Sequence, residues 1–312
     1  MKKIDRILIF TMKKDLRLTR ICVASIRFWY PDIRIDLVKD EITAPFDTTE
    51  IESSWNVGVE RCGKAKLGGC GFLIKFEPLL ISKKSRILIL DSDIVLAGRV
   101  IERLERHDED FVVAEDYCHG SLTTNYAKEV MRRSIYDFDQ LKNIDPDFEL
   151  PEKFFNAGQM VISTGEYSRG DLDPFVDWCA QAKLRQPQVF QMGDQGIMNY
   201  ILERDRRSGR ISMAYDNFAI FSIDHRCEDL NIESIAGGDG YPCVIHWTGH
   251  HHLPLLRQMA AWKIVAFYEQ FYYSKVQISA LSRSYRSFNY SARRLAALIR
   301  GRWRRFARRL QS

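Results

Sequence analysis

No apolar stretch in this 312-residue sequence approaches the roughly 18–20 residues that a membrane-spanning helix needs, which excludes an integral membrane protein of that kind. The short run Ile7-Leu8-Ile9-Phe10 follows Met1-Lys2-Lys3, but it is too brief for a signal-peptide core and Lys13-Lys14 come at once. Cysteine is sparse and scattered (Cys22, Cys62, Cys70, Cys118, Cys179, Cys227, Cys243). It makes neither a CxxC pair nor an even framework, so a reduced, cytosolic compartment is expected. There is no P-loop, no internal repeat, and no low-complexity segment before the C-terminal tail. With 46% hydrophobic and 28% charged residues the composition is that of a globular protein.

The most informative absence is local. Residues 283–312 contain no acidic residue and ten arginines, so this tail carries +10 and residues 1–282 carry −5 of the net +5. The body is mildly acidic and the tail alone makes the chain basic, which separates what the body does from what the tail touches.

The first hundred residues alternate strand and helix signals. Arg6–Thr11 is a short apolar β-rich run, and the apolar spacing from Leu18 to Trp29 is helical and ends at Tyr30-Pro31. Ile33–Val38 alternates as a strand, Gly68-Gly69-Cys70-Gly71 breaks the chain, and Phe72–Ile81 reads as a helix that must accommodate Pro78. Ser85–Leu90 is apolar on both faces, as in the centre of a parallel sheet. Strands separated by such helices predict a doubly wound α/β architecture.

Chemistry-bearing residues fall at predictable places on that frame. Asp91-Ser92-Asp93 follows the central strand, where open α/β sheets bind ligands, and paired carboxylates there suit Mg²⁺ or Mn²⁺ beside a diphosphate. Phe155-Asn156-Ala157-Gly158 opens an apolar strand and reads either as an ordinary turn or as small-residue backbone that a ligand can approach. Gly193-Asp194-Gln195-Gly196 starts a helix, with Asp194 either an N-cap or a site residue. His246 closes the strand Val244-Ile245, where it is either structural or a third metal ligand, and Gly249 and the run His250–His252 follow.

Taken in order, the strand-D-x-D, Phe-Asn-Ala-Gly, Asp-Gln at a helix start and His-x-x-Gly pattern resembles the GT-A glycosyltransferases. The likeness is greatest to the retaining family 8 type, which includes bacterial lipooligosaccharide galactosyltransferases and glycogenin. It covers about residues 4–255. The resemblance implies a GT-A doubly wound mixed sheet over 1–255, followed by an aromatic and arginine-rich helical region over 256–312. It implies Mn²⁺, with Mg²⁺ as the alternative, held by Asp91, Asp93 and His246. Gln195 and Asp194 become the catalytic pair, with Gln195 beside the anomeric carbon. Donor contacts fall to Thr11, Lys75, Asp91, Ser92, Asn156, Ala157, Gly249 and His252. Two departures stand out: His252 occupies a place where relatives carry a diphosphate-binding lysine, and Lys13-Lys14 replace a first-strand acidic pair.

The implied reaction moves a hexose from a UDP-sugar to a glycan or glycolipid acceptor, with retention, by same-face attack assisted by the departing phosphate. Lipopolysaccharide or other surface-polysaccharide synthesis on the inner face of the cell membrane is the implied setting. Two other classes compete: a metal-dependent phosphoryl- or nucleotidyl-transfer enzyme, and an RNA- or membrane-binding protein with a vestigial sugar-nucleotide site. The segment Tyr117–Lys153 carries no motif and reads as a surface insertion or an acceptor lid. In the tail, Leu295, Ile299, Trp303, Phe306 and Leu310 share one helical face with most arginines opposite. That pattern favours an anionic membrane surface over packing on the body or nucleic acid.

Overall fold

The computed structural model describes residues 2–40, 45–60, 73–116, 131–132, 135–178, 182–191, 193–222, 224–247 and 261–276, with isolated positions at 129, 282, 292 and 299. A seven-stranded sheet forms its centre. The strands are β1 (Arg6–Thr11), β2 (Arg34–Lys39), β3 (Val57–Val59), β4 (Arg86–Asp91), β6 (Phe111–Glu115), β7 (Phe155–Ser163) and β8 (Met213–Tyr215), in the order β8-β6-β7-β4-β1-β2-β3. A second sheet of three strands joins β9 (Ala219–Phe221), β10 (Val244–His246) and β5 (Ile94–Leu96), in the order β9-β10-β5.

β1 runs parallel to both β2 and β4, as the strand-helix alternation predicts, whereas β7 is antiparallel to β4 and β6. The isoleucine and leucine runs of β1 and β4 are buried on both faces because each face is covered by its own core. One core holds α1 (Leu16–Trp29) under β1 and the small sheet; the other holds α3 (Asp194–Arg207) and the segment Leu73–Leu80.

The sequence locates β1, α1, β2, β4 and the segment Leu73–Leu80 within a residue or two, with one difference in kind. Leu73–Leu80 winds as a 3₁₀ helix instead of an α-helix. Pro78 lies inside it, and proline lacks the N–H and clashes with the carbonyl one α-turn back, so the looser hydrogen-bonding demand of the 3₁₀ form prevails. α1 ends where its sequence says it should. Tyr30, preceding Pro31, leaves the helix at φ −135°, ψ 80°, because the proline ring disfavours a helical predecessor.

The aromatic residues between 262 and 273 belong to the body. Trp262–Lys275 forms α4, which packs on α1 and on the short helix α2 (Thr49–Trp55). Phe28 meets Phe267, Tyr268 and Phe271 edge-on at 5.3, 5.9 and 5.4 Å. Trp55 stacks on Tyr272 at 5.3 Å, and Arg17 donates to both carboxylate oxygens of Glu269 at 2.6 and 2.7 Å. Tyr268 and Tyr272 are completely buried. Among the described residues no helix is long and apolar enough to cross a membrane. Of the segment Tyr117–Lys153, residues 117–128 lie outside the described residues. The part from 135 onward is anchored to α3 by Phe148 against Tyr200 at 4.9 Å. The arginine-rich tail, Gly249, His252 and the Gly68–Gly71 break also lie outside them.

Candidate active site

The site is assembled at the carboxyl end of β4. Asp91 is the last residue of that strand, and the chain turns through Ser92-Asp93 directly into β5. β5 pairs antiparallel with β10, in a register that sets His246 opposite Ile94, and Trp247 N–H donates to the Asp93 carbonyl at 3.1 Å. A strand pairing thus carries a residue from the far end of the sequence to the aspartate turn. His246 Nε2 lies 3.3 Å from Asp93 Oδ1 and 4.0 Å from Asp91 Oδ2.

One ligand atom from each of Asp91, Asp93 and His246 falls within 4.8 Å of the others. Atoms bound to a common divalent ion at ~2.1–2.3 Å stand about 3–4.5 Å apart, so the spacing fits. Two hard oxygens and one imidazole suit Mg²⁺ or Mn²⁺, and His246 presents Nε2 to both aspartates. These three residues would hold the ion.

Beside them Lys75, from the 3₁₀ segment, points its ammonium at two carboxylates: Asp91 Oδ2 at 2.9 Å and Asp194 Oδ2 at 3.1 Å. Burial works against a charged lysine, but Asp194 and Asp91 outweigh it and hold the Lys75 ammonium above its ordinary range. The carboxylates fare differently. Burial pushes both Asp91 and Asp194 up, and Lys75 offsets only part of that; Asp93 raises Asp91 further. One ammonium is thus shared between two buried acids, so the cluster is short of positive charge.

The Asn-Ala-Gly corner of β7 closes the opposite side. A Cβ at Gly158 would stand 2.6 Å from His246 Cε1, 2.7 Å from Asp91 Oδ2 and 2.8 Å from Asn156 Oδ1. Only glycine fits against these three side chains. Asn156 Oδ1 accepts the Gly158 N–H at 2.8 Å, while Ala157 is completely buried within the core. The pairing register of β7 with β6 slips here between Val113 and Glu115, an irregularity of the kind that re-aims residues next to functional sites.

At the start of α3 the cap is Gly193, at φ 61°. Asp194 is the first helical residue, and its carboxylate both meets Lys75 and accepts backbone N–H groups of that first turn. Gly196 explains the rest of the Gly-Asp-Gln-Gly signature, since a Cβ there would sit 2.0 Å from the Ile135 carbonyl oxygen. Thr11 is buried at the end of β1 with its hydroxyl 2.5 Å from that of Thr19. Ser92 is buried within the aspartate turn.

No protein-family model matches the chain, and no curated protein does. Solved structures do. The apo form of the bifunctional glycosyltransferase WbbM superposes with a TM-score of 0.57 at 11% identity, covering 89% of this chain and 52% of its own. This chain therefore spans about half the length of WbbM. The galactosyltransferase LgtC, solved with donor and acceptor sugar analogues, gives 0.51 at 15% identity, covering 89% of this chain and 99% of LgtC. GlyE from Streptococcus pneumoniae gives 0.51 at 13% identity, covering 87% and 62%. The chain has the GT-A glycosyltransferase fold.

Within that fold, the structure brings together Lys75, Asp91, Asp93, Asn156, Asp194 and His246. Two residues that carry no motif, Asp116 and Asn199, bond to Gln195 and to β7. Gln195 donates from Nε2 to Asp116 Oδ2 at 3.3 Å, and Asn199 ties α3 to β7 through Phe155. Asp116 ends a strand and Asn199 lies one helical turn after Gln195; their positions beside known motif residues are the only sequence signal for them.

Proposed function

We propose that the protein is a metal-dependent hexosyltransferase that takes a UDP-sugar as donor and a glycan or glycolipid as acceptor, and transfers with retention. The observation that carries this reading is the Asp91–Asp93–His246 cluster at the end of β4, with Lys75 bridging Asp91 and Asp194 beside it. LgtC was solved with donor and acceptor sugar analogues, and that chemistry is extended here to a chain of the same fold.

A bound divalent ion would stabilise the negative charge that develops on the departing diphosphate. The remaining work falls to the chain. Lys75 orients Asp194 toward the donor-sugar hydroxyls, and Gly158 lets the β7 backbone pack directly against His246 and Asp91. Gln195, too weak a nucleophile for a covalent sugar intermediate, lines the anomeric centre while the acceptor attacks from the face the diphosphate leaves. Residues 283–312 supply a basic, amphipathic attachment to an anionic membrane on the cytoplasmic side, where a lipid-linked surface-polysaccharide acceptor would be presented.

The test is turnover of a panel of UDP-sugars by the purified protein, with Mn²⁺ and with chelator, alongside Asp93→Ala. Turnover of one sugar that needs both metal and Asp93 is expected. No turnover, with no UDP binding by calorimetry in Mn²⁺, would overturn the reading.

A further inference from the structure

We propose that Asp116 and Asn199 are positioning residues that hold Gln195 at both ends, side chain and backbone, against the Asn156–Gly158 corner; this rests on the transferase reading above. Asn199 is 2% exposed and spends its whole amide on two backbone segments. Its Oδ1 accepts the Phe155 N–H at 3.0 Å, and its Nδ2 donates to the Phe155 carbonyl at 2.9 Å and to the Gln195 carbonyl at 2.8 Å. One side chain thus grips both polar groups of the residue before Asn156 and fastens them to the first turn of α3. The grip falls where the β6–β7 pairing steps from Met160 directly to Phe155, so Asn199 supplies backbone partners where the ladder is interrupted.

Asp116 does the complementary work on the side chain. Its own N–H donates to the Phe154 carbonyl at 2.8 Å, which fixes it to the same stretch of β7, and its Oδ2 accepts from Gln195 Nε2 at 3.3 Å. An ionised carboxylate can only accept, so the Gln195 amide has one permitted orientation, with Nε2 toward Asp116 and Oε1 turned the other way. In the transferase reading that carbonyl oxygen is the group facing the sugar ring, where positive charge develops. Asp116 and Asn199 touch neither donor nor acceptor in this scheme and act through Gln195.

The experiment pairs kinetics with a measurement that needs no activity. In protein labelled with ¹⁵N at glutamine side chains, the Gln195 amide signal is assigned by its loss in Gln195→Glu. Asp116→Ala is expected to shift that signal and speed its proton exchange, and to lower kcat on the order of 100-fold with KM changed by less than about 3-fold, as for a misplaced catalytic group. Asp116→Asn, which keeps an acceptor oxygen, is expected to recover most of the lost rate. Asn199→Asp, which keeps the acceptor for Phe155 N–H but loses both donated bonds, should lower kcat similarly while UDP binding in Mn²⁺ persists. A Gln195 signal unmoved by Asp116→Ala, or losses confined to KM, in a wild-type protein that turns over its donor would overturn the positioning role alone. No wild-type turnover together with a shifted signal would instead overturn the transferase reading, and with it any catalytic purpose of this arrangement.

Discussion

Lys75 and Asp194 meet across the mouth of the sheet, ammonium to carboxylate at 3.1 Å, and the same ammonium reaches Asp91 at 2.9 Å. The lysine is therefore the only counter-charge that the described residues place between Asp91, of the candidate metal cluster, and the first residue of α3. Removing one partner of a buried ion pair costs about 3–5 kcal/mol, because the other charge is left unpaired. Lys75→Met should therefore melt well below the wild-type protein in chelator. Mn²⁺ should restore more of the lost stability than it adds to the wild type, since the ion takes over part of the neutralisation at Asp91. Thermal melts with and without Mn²⁺ check this; equal melting temperatures in chelator would show that Lys75 is dispensable to the site.

Divalent metal should stabilise the fold by mass action, by about 2.7 kcal/mol at a hundred times Kd, and both Asp93→Ala and His246→Ala should abolish the effect. Its pH dependence has a defined sign. Burial holds Asp91 and Asp194 above the ordinary carboxylate range, so without metal the folded state retains protons that the unfolded chain has released. That contribution to stability is greatest at low pH and declines as pH rises from about 4, the unfolded value, through the higher folded one. Of these two, Asp91 belongs to the candidate metal cluster, and a metal there needs it deprotonated, so its stabilisation grows over that window. The Mn²⁺-induced rise in melting temperature should be larger at pH 7.5 than at pH 5. A rise independent of pH would place the metal elsewhere.

Gly158→Ala isolates the glycine corner. The added methyl would collide with His246 Cε1, Asp91 Oδ2 and the Asn156 amide oxygen, all at less than 3 Å. None of these is the free end of a flexible surface chain; two belong to the candidate metal cluster. We expect an overpacking cost of about 1–3 kcal/mol and a loss of metal affinity on the order of 10–100-fold, as when the surroundings of a ligand are disturbed. Manganese titration by calorimetry reads the second effect apart from the first.

How much of this was legible in the sequence differs between motif and support. The central strand, the Asp91-Ser92-Asp93 turn, the Gly-Asp-Gln-Gly helix start and the strand-ending His246 are each visible as local patterns, but each alone also reads as an ordinary turn, cap or structural residue, and only their order along the chain selects the site. Their convergence was reached through resemblance; its physical cause, the β5–β10 register that sets His246 opposite Ile94, is a long-range pairing that no local pattern encodes. Asp116 and Asn199 were invisible for a related reason: an aspartate after a strand and an asparagine on a helix are common, and only the bulge in β7 gives them work. Leu73–Leu80 shows the opposite case, in which helical periodicity was read correctly but Pro78 selected the 3₁₀ form. The aromatic residues of 262–275 read as tail when taken with the arginines that follow. Phe28 and Trp55, which receive them, sit far earlier in the chain.

That division between helix and tail yields the last expectation. A chain ending at residue 276 keeps α4 and should melt as the full protein does, while no longer sedimenting with anionic vesicles; retained sedimentation would remove residues 283–312 from the membrane role. A chain ending at 261 loses α4 and should not fold stably, because it strips the cover from Phe28 and Trp55 and leaves Arg17 without Glu269. Within α4, Tyr268→Phe measures the junction directly. The Tyr268 hydroxyl donates to the Leu96 carbonyl at 2.7 Å and accepts from Trp29 Nε1 at 2.8 Å. Trp29 Nε1 also reaches the Leu96 carbonyl at 3.3 Å, so deleting the hydroxyl strands neither the indole N–H nor that carbonyl. The cost should fall near the low end for a buried hydrogen bond, about 1 kcal/mol, well below that of Tyr268→Ala, about 3–5 kcal/mol for an emptied aromatic site. Denaturant melts of the two variants give that ordering. Near-equal losses would mean that the hydroxyl, and not the packed ring, fastens α4 to the sheet.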